Sequence, residues 1–116
     1  MPFDQLHDAK YISLTTFRRD GRGVATPVWF AESGGRLYVM TRSDSGKVKR
    51  LRRNPRVRVA PCSMRGRVRG PEVWATARVL PAGDWSGARR LICQKYWLAR
   101  LPIWSPKNVY VEIEAA

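Results

Sequence analysis

The pair Gly34-Gly35 fixes the architecture of the stretch around it, VATPVWFAESGGRLYVMTRSDSGKVKRLRRNP from Val24 to Pro55. Two residues that tolerate positive φ, set between β-branched and aromatic runs, are a hairpin signal. The pattern predicts one strand over Val24–Ser33 and a second over Arg36–Arg42. Tight hairpins of this kind argue against a doubly wound parallel sheet, and no GxGxxG follows a first strand. The second strand runs into Ser43-Asp44-Ser45-Gly46, a cluster of helix-capping residues. Lys47–Arg53 then reads as helix, with Val48 and Leu51 three apart on its inner face. Asn54-Pro55 stops it, because a residue before proline avoids the α region.

The flanking sequence extends the same pattern. Residues 1–9 read as a short helix or arm, with Phe3 and Leu6 as apolar contacts. Tyr11–Phe17 is rich in β-branched and aromatic residues and is a strand; the turn Arg18–Gly23 leads from it into the Val24 strand. Pro27 cannot donate to a ladder, so it marks an edge, a bulge, or a place where another molecule takes over the pairing. Arg56–Cys62 alternates, with Arg56 and Arg58 outward and Val57 and Val59 toward the core. After a Gly- and Arg-rich connection, Glu72–Leu80 is the fifth strand, with Val73, Ala75, Ala77 and Val79 on one face and Trp74, Thr76 and Arg78 on the other. Asp84 is a candidate N-cap for a helix from Trp85 to about Arg100. Leu101–Lys107, with two prolines, is a loop or lid. Asn108–Glu114 closes the chain as a strand, Val109, Val111 and Ile113 facing one way and Tyr110, Glu112 and Glu114 the other. Six largely antiparallel strands with two or three short helices, in one domain spanning 1–116, predict a mainly β fold: a closed or split barrel, which removes exposed edges.

Composition narrows the partner. The formal net charge is +13, which favours polyanions: nucleic acid, a membrane surface, or a multiply charged small ligand. Arginine outnumbers lysine, and coding bias in a G+C-rich genome accounts for part of such an excess. No apolar run approaches a membrane span. The opening MPFDQLHDAK carries acids and no apolar stretch, so it does not read as a signal peptide, and a cytoplasmic location is expected. Cys62 and Cys93 lack CxxC spacing and His7 is the single histidine, so no metal site is expected and the cysteines read as reduced, packed apolar residues.

The basic helix carries the chemistry. A helix N-terminus offers unpaired N–H groups and partial positive charge, so phosphate or carboxylate binds there readily. Arg42, Lys47, Lys49, Arg50, Arg52 and Arg53 face one acid, Asp44. The plainer alternative is a solvated basic helix that caps a barrel.

ATPVWF, a short turn, LYVMT and SGKVKRLRRNPRV together resemble the flavin and deazaflavin oxidoreductases related to pyridoxamine-phosphate oxidase (the PPOX class), most closely the small F420-dependent actinobacterial enzymes. The most specific element is T-x-x-x-S-x-K-x-x-x-L-x-x-N-P-x-V from Thr41, and the similarity covers Tyr11 to about Leu80. The resemblance implies a six-stranded split β-barrel, an FMN-binding type of fold, as a homodimer with two cofactors between the subunits. It implies that the cofactor phosphate meets Thr41, Ser45 and Lys47, with Lys49 and Arg50. The ring would lie along Pro27, Val28 and Trp29 and near Met40; core packing competes as a role for Trp29 and Met40.

The implied activity is hydride transfer between F420 and a small organic acceptor. FMN is the alternative cofactor, and a non-catalytic carrier of F420, FMN or haem is the alternative role. The basic surface Arg50, Arg52, Arg53, Arg56 and Arg58 favours F420, a longer polyanion than FMN. No catalytic nucleophile is visible; Tyr96, Tyr110 and solvent are candidate proton donors. Tyr96-Trp97 with Trp104 reads as core and subunit interface, or else as a substrate-side wall. A rival of another class is a basic nucleic-acid-binding β-barrel using Trp74, Trp29, Arg65, Arg67 and Arg69. Against it, the basic residues concentrate on one helix and its neighbours and no recognised binding motif occurs.

Overall fold

The computed structural model of the 116-residue chain describes residues 3, 6, 9–95 and 108–115. In chain order they form β1 (Tyr11–Phe17), β2 (Gly23–Val28), β3 (Phe30–Ser33), β4 (Arg36–Arg42), α1 (Gly46–Arg53), β5 (Arg56–Cys62), β6 (Val73–Val79), α2 (Trp85–Lys95) and β7 (Asn108–Ala115). A 3-10 turn over Ala82–Asp84 leads into α2. The strands make one antiparallel sheet of seven, in the order β2-β1-β5-β6-β7-β4-β3. It curls until β2 approaches β4 without pairing to it, which makes the barrel split.

The strand expected over Val24–Ser33 is broken at Trp29, and this raises the count from six to seven. β2 pairs with β1, Ser13 opposite Pro27, whereas β3 pairs with β4, Phe30 opposite Val39. One chain segment therefore serves both edges of the sheet, and it must bend to do so. β2 is an edge strand, where a proline is tolerated. At the hairpin tip Gly34 and Gly35 adopt φ of 60° and 79°, the positive pair that a two-residue turn matching the strand twist demands.

Strand alternation sends Leu14, Phe30, Val39, Val59, Val111 and Ile113 into the barrel. Phe3 and Leu6 from the N-terminal segment and Leu51 from α1 join this core. A second cluster lies outside the barrel, where Ala88 and Ile92 of α2 cover Ala31, Leu80 and Tyr110. Tyr110 and Glu112, on the side of the last strand opposite Val109, Val111 and Ile113, are 3% and 6% exposed. Cys62 is buried and Cys93 packs against the second cluster. The expected continuation of α2 to Arg100, the aromatics Tyr96, Trp97 and Trp104, and His7 lie outside the described residues. Among the described residues no helix is long and apolar enough to cross a membrane.

Candidate cofactor site

The site begins where β3 and β4 part. Their pairing runs from Ser33↔Arg36 to Phe30↔Val39. Continuing that register brings Trp29 level with Met40 and Val28 level with Thr41, where the chain swings away to join β1. Pro27 and Val28 lie on β2, Trp29 at the break, and Met40 and Thr41 on β4, which β2 approaches without pairing; the resemblance implies that these residues meet the ring and its phosphate. Pro27 is exposed, and Trp29, Met40 and Thr41 are half-buried. Val28 turns its side chain into the barrel core, so its backbone is what remains for the split. Trp29 and Met40 also pack against the cluster under α2, so each combines a core contact with a place at the opening.

The end of β4 delivers the anion-binding corner. Ser45, extended at φ −74° and ψ 152°, is the N-cap of α1, and its Oγ accepts from the Val48 N–H at 3.4 Å. Thr41 Oγ1 lies 3.4 Å from Ser45 Oγ, tying the strand end to the helix start. Val48 and Leu51, 2% and 3% exposed, anchor the helix, and Asn54 ends it in an extended conformation before Pro55. Lys47 and Arg50, three apart on one flank of the helix, are half-buried. Arg50 Nε donates to Thr16 Oγ1 at 2.6 Å, and Thr16 is fully buried.

The corner lacks negative charge. Burial, then the neighbouring Arg50, pushes the Lys47 ammonium below the usual lysine range. Burial, with Arg18 and Arg53, does the same to Arg50. Asp44 is taken by Arg42, Nε to Oδ1 at 3.1 Å, and no carboxylate among the described residues pairs with Lys47 or Arg50.

α1 sorts its cations into two tiers. Successive residues turn by about 100°, so Lys49 projects nearly opposite to Lys47, alongside Arg52 and Arg53. Lys49, Arg52 and Arg53 are all exposed. The structure therefore does not bring Lys49 to the phosphate corner with Lys47. It also shortens the basic surface read from the sequence. The Arg56 guanidinium sits 4.2 Å over the Trp74 ring, and Arg58 Nε lies 3.2 Å from Glu72 Oε2.

One participant escaped the sequence reading: Thr16 holds Arg50. Thr16 looks like an ordinary β-branched strand residue, and only the packing of α1 on the sheet reveals what it meets. The phosphate of a flavin-type cofactor fits the uncompensated Lys47 and Arg50. Thr26, opposite Leu14 on the Val28 side of β2, has a fully buried hydroxyl turned inward and away from any ligand. Tyr110, a candidate proton donor, is packed under α2 with its ring 6.0 Å from Trp85. Trp74 stacks on Phe17 at 5.5 Å, apart from Trp29, so the two tryptophans of the nucleic-acid reading do not share a platform.

Comparison with known proteins shows the family. The family model described as pyridoxamine 5'-phosphate oxidase matches residues 3–116. The chain belongs to the pyridoxamine 5'-phosphate oxidase family. That family is one of flavin-type oxidoreductases and binds flavin-type cofactors. Solved structures share the fold. One is titled an F420 reductase, at 20% identity and TM-score 0.70, covering 98% of this chain and 92% of that one. A conserved hypothetical protein of Mycobacterium tuberculosis aligns at 22% identity and TM-score 0.74, covering 97% and 76%. HutZ, a heme storage protein of Vibrio cholerae, aligns at 13% identity and TM-score 0.73, covering 94% and 83%. No curated protein matches the sequence.

Proposed function

We propose that this member of the pyridoxamine 5'-phosphate oxidase family is an F420-dependent oxidoreductase that transfers a hydride between the deazaflavin and a small organic acceptor. The observation that carries the reading is the two-tier sorting of cations on α1. Lys47 and Arg50 stand half-buried beside the split, while Lys49, Arg52 and Arg53 stand exposed on the outward face. FMN has one phosphate, which the inner tier alone satisfies. F420 has a phosphodiester followed by an oligoglutamate tail, and such a ligand uses both tiers. A structural neighbour titled an F420 reductase supports the choice.

When bound, the ring supplies the hydride chemistry. The chain's part is to bind and orient. Lys47, Arg50, Ser45 and Thr41 would grip the anionic end, and the backbone at Pro27 and Val28 with Trp29 and Met40 would flank the ring. The same reading has the protein as a cytoplasmic homodimer, the second copy closing the cofactor over the exposed Pro27.

Fluorescence titration of the purified protein with F420 and with FMN tests it. F420 is expected to bind more tightly. Lys49→Ala with Arg53→Ala should narrow the gap between the cofactors, and Lys47→Ala should weaken both. FMN binding as tightly as F420, with the outer-tier variant changing neither, would overturn the choice of cofactor. Single-turnover oxidation of the reduced bound cofactor by an acceptor separates an enzyme from a carrier.

A further inference from the structure

The outer face of β4, β7 and β6 carries a polar row that cofactor binding does not use. Tyr38 stands opposite Glu112 on one side, and Arg78 stands opposite Glu112 on the other. Tyr38 Oη donates to Glu112 Oε2 at 3.1 Å, and Arg78 Nε donates to Oε1 at 3.0 Å. Glu112 is 6% exposed. Burial pushes its carboxyl up, but the hydrogen bonds from Arg78 and Tyr38 and the charges of Arg78 and Arg36 prevail and hold it below the usual carboxylate range. A fixed negative charge therefore lies low on this face.

Above it, between the row and α2, is an open cavity of about 440 Å3. Its size is that of a small-molecule pocket. α2 supplies Arg90 and Gln94, Leu80 and Leu91 form an apolar wall, and Asp84 completes the lining. The row is not needed to seat the helix, because α2 already docks on Ala31, Leu80 and Tyr110. Arg78 is exposed, and an ion pair with one exposed partner contributes little to stability.

The charges here are balanced: Arg78 and Arg90 against Asp84 and Glu112, within a chain of net charge +13. A simple anion finds a richer field at α1. A dipolar ion finds both of its partners in this cavity. The Glu112 oxygens keep further acceptor capacity, and Tyr38 Oη, having donated its proton, can accept. Arg90 and Gln94 offer donors across the gap.

We infer that this cavity binds a small dipolar amino compound, its ammonium on Glu112 and Tyr38, its carboxylate on Arg90 and Gln94, and its apolar body against Leu80 and Leu91. The inference stands apart from the choice of cofactor. Calorimetric titration of the full chain with L-phenylalanine, 3-phenylpropanoate and 2-phenylethylamine tests it. Phenylalanine is expected to bind at least tenfold more tightly than either half-analogue. Glu112→Gln should weaken phenylalanine at least tenfold without weakening 3-phenylpropanoate. Arg90→Gln, at an exposed helix position, should weaken phenylalanine without weakening 2-phenylethylamine, and it decides the matter if Glu112→Gln fails to fold. Equal binding of 3-phenylpropanoate and phenylalanine, no binding of any of the three, or full affinity in Arg90→Gln would overturn the inference.

Discussion

Replacing Lys47 with alanine should weaken ligand binding without weakening the fold. In the free protein the Lys47 ammonium is half-buried beside Arg50, and no carboxylate among the described residues offsets it. Removing it relieves repulsion and desolvation, which offsets the lost packing of its alkyl stem. The expected change in stability is within about 0.5 kcal/mol, the ordinary range for a substitution away from core and caps. A hydrogen bond to a charged group contributes about 1.5–3 kcal/mol, and each 1.4 kcal/mol is tenfold in affinity. The dissociation constant for F420 should therefore rise by about 10- to 150-fold, read by fluorescence titration at fixed salt.

Proton linkage gives a second, independent readout. The free-state pKa of Lys47 is depressed by burial and by Arg50, and a bound phosphate raises it. Between those two values, binding takes up protons. Calorimetry in buffers of different ionisation heat should detect this uptake at alkaline pH, and the Lys47→Ala protein should lack it. Unchanged affinity in Lys47→Ala, or the same uptake in both proteins, would refute the reasoning. A loss of several kcal/mol in stability would show that the side chain is structural.

Four further outcomes are expected. Thr16→Val removes the acceptor of the 2.6 Å bond from Arg50 Nε and should cost about 1.5 kcal/mol in urea unfolding, with F420 affinity falling as Arg50 is released. Leu51→Ala, at a core position 3% exposed, should cost about 2–5 kcal/mol in the same assay. Gly35→Ala forces a Cβ onto a φ of 79° and should cost about 1–2 kcal/mol, seen as a lower Tm. Glu112 has a depressed folded pKa, so its contribution is present above the unfolded value near 4.5 and is lost as pH falls through the folded value. Acid unfolding followed by circular dichroism should therefore be shallower in Glu112→Gln below pH about 4.5.

Local chemistry made much of the fold legible. The hairpin, the helix after it and the alternation in β5 and β6 each depend on residues close together in the chain, such as Gly34-Gly35, Ser45 and Asn54-Pro55. Pro27 marked a disturbance in the strand expected over Val24–Ser33, but its division into two edge strands at Trp29 was not legible, because that follows from closing a sheet whose two edges are adjacent in sequence. Nor was the burial of Glu112, since its partners Tyr38 and Arg78 come from β4 and β6, and nothing along β7 itself names its neighbours in the sheet. Within the site, Lys47, Ser45 and Thr41 lie within one turn of chain and could be read together. Thr16 reaches the corner only through the packing of α1 on β1, and no spacing in the sequence announces it.

The bend at Trp29 has a mechanical consequence. Sheet order starts with β2 and finishes with β3, so the two rims of the cylinder are held by a single residue of main chain. The gap between them cannot open like a book: either rim, on peeling away, drags the other. A nick at that link would uncouple the two rims while each stays paired to its own neighbour, β2 to β1 and β3 to β4.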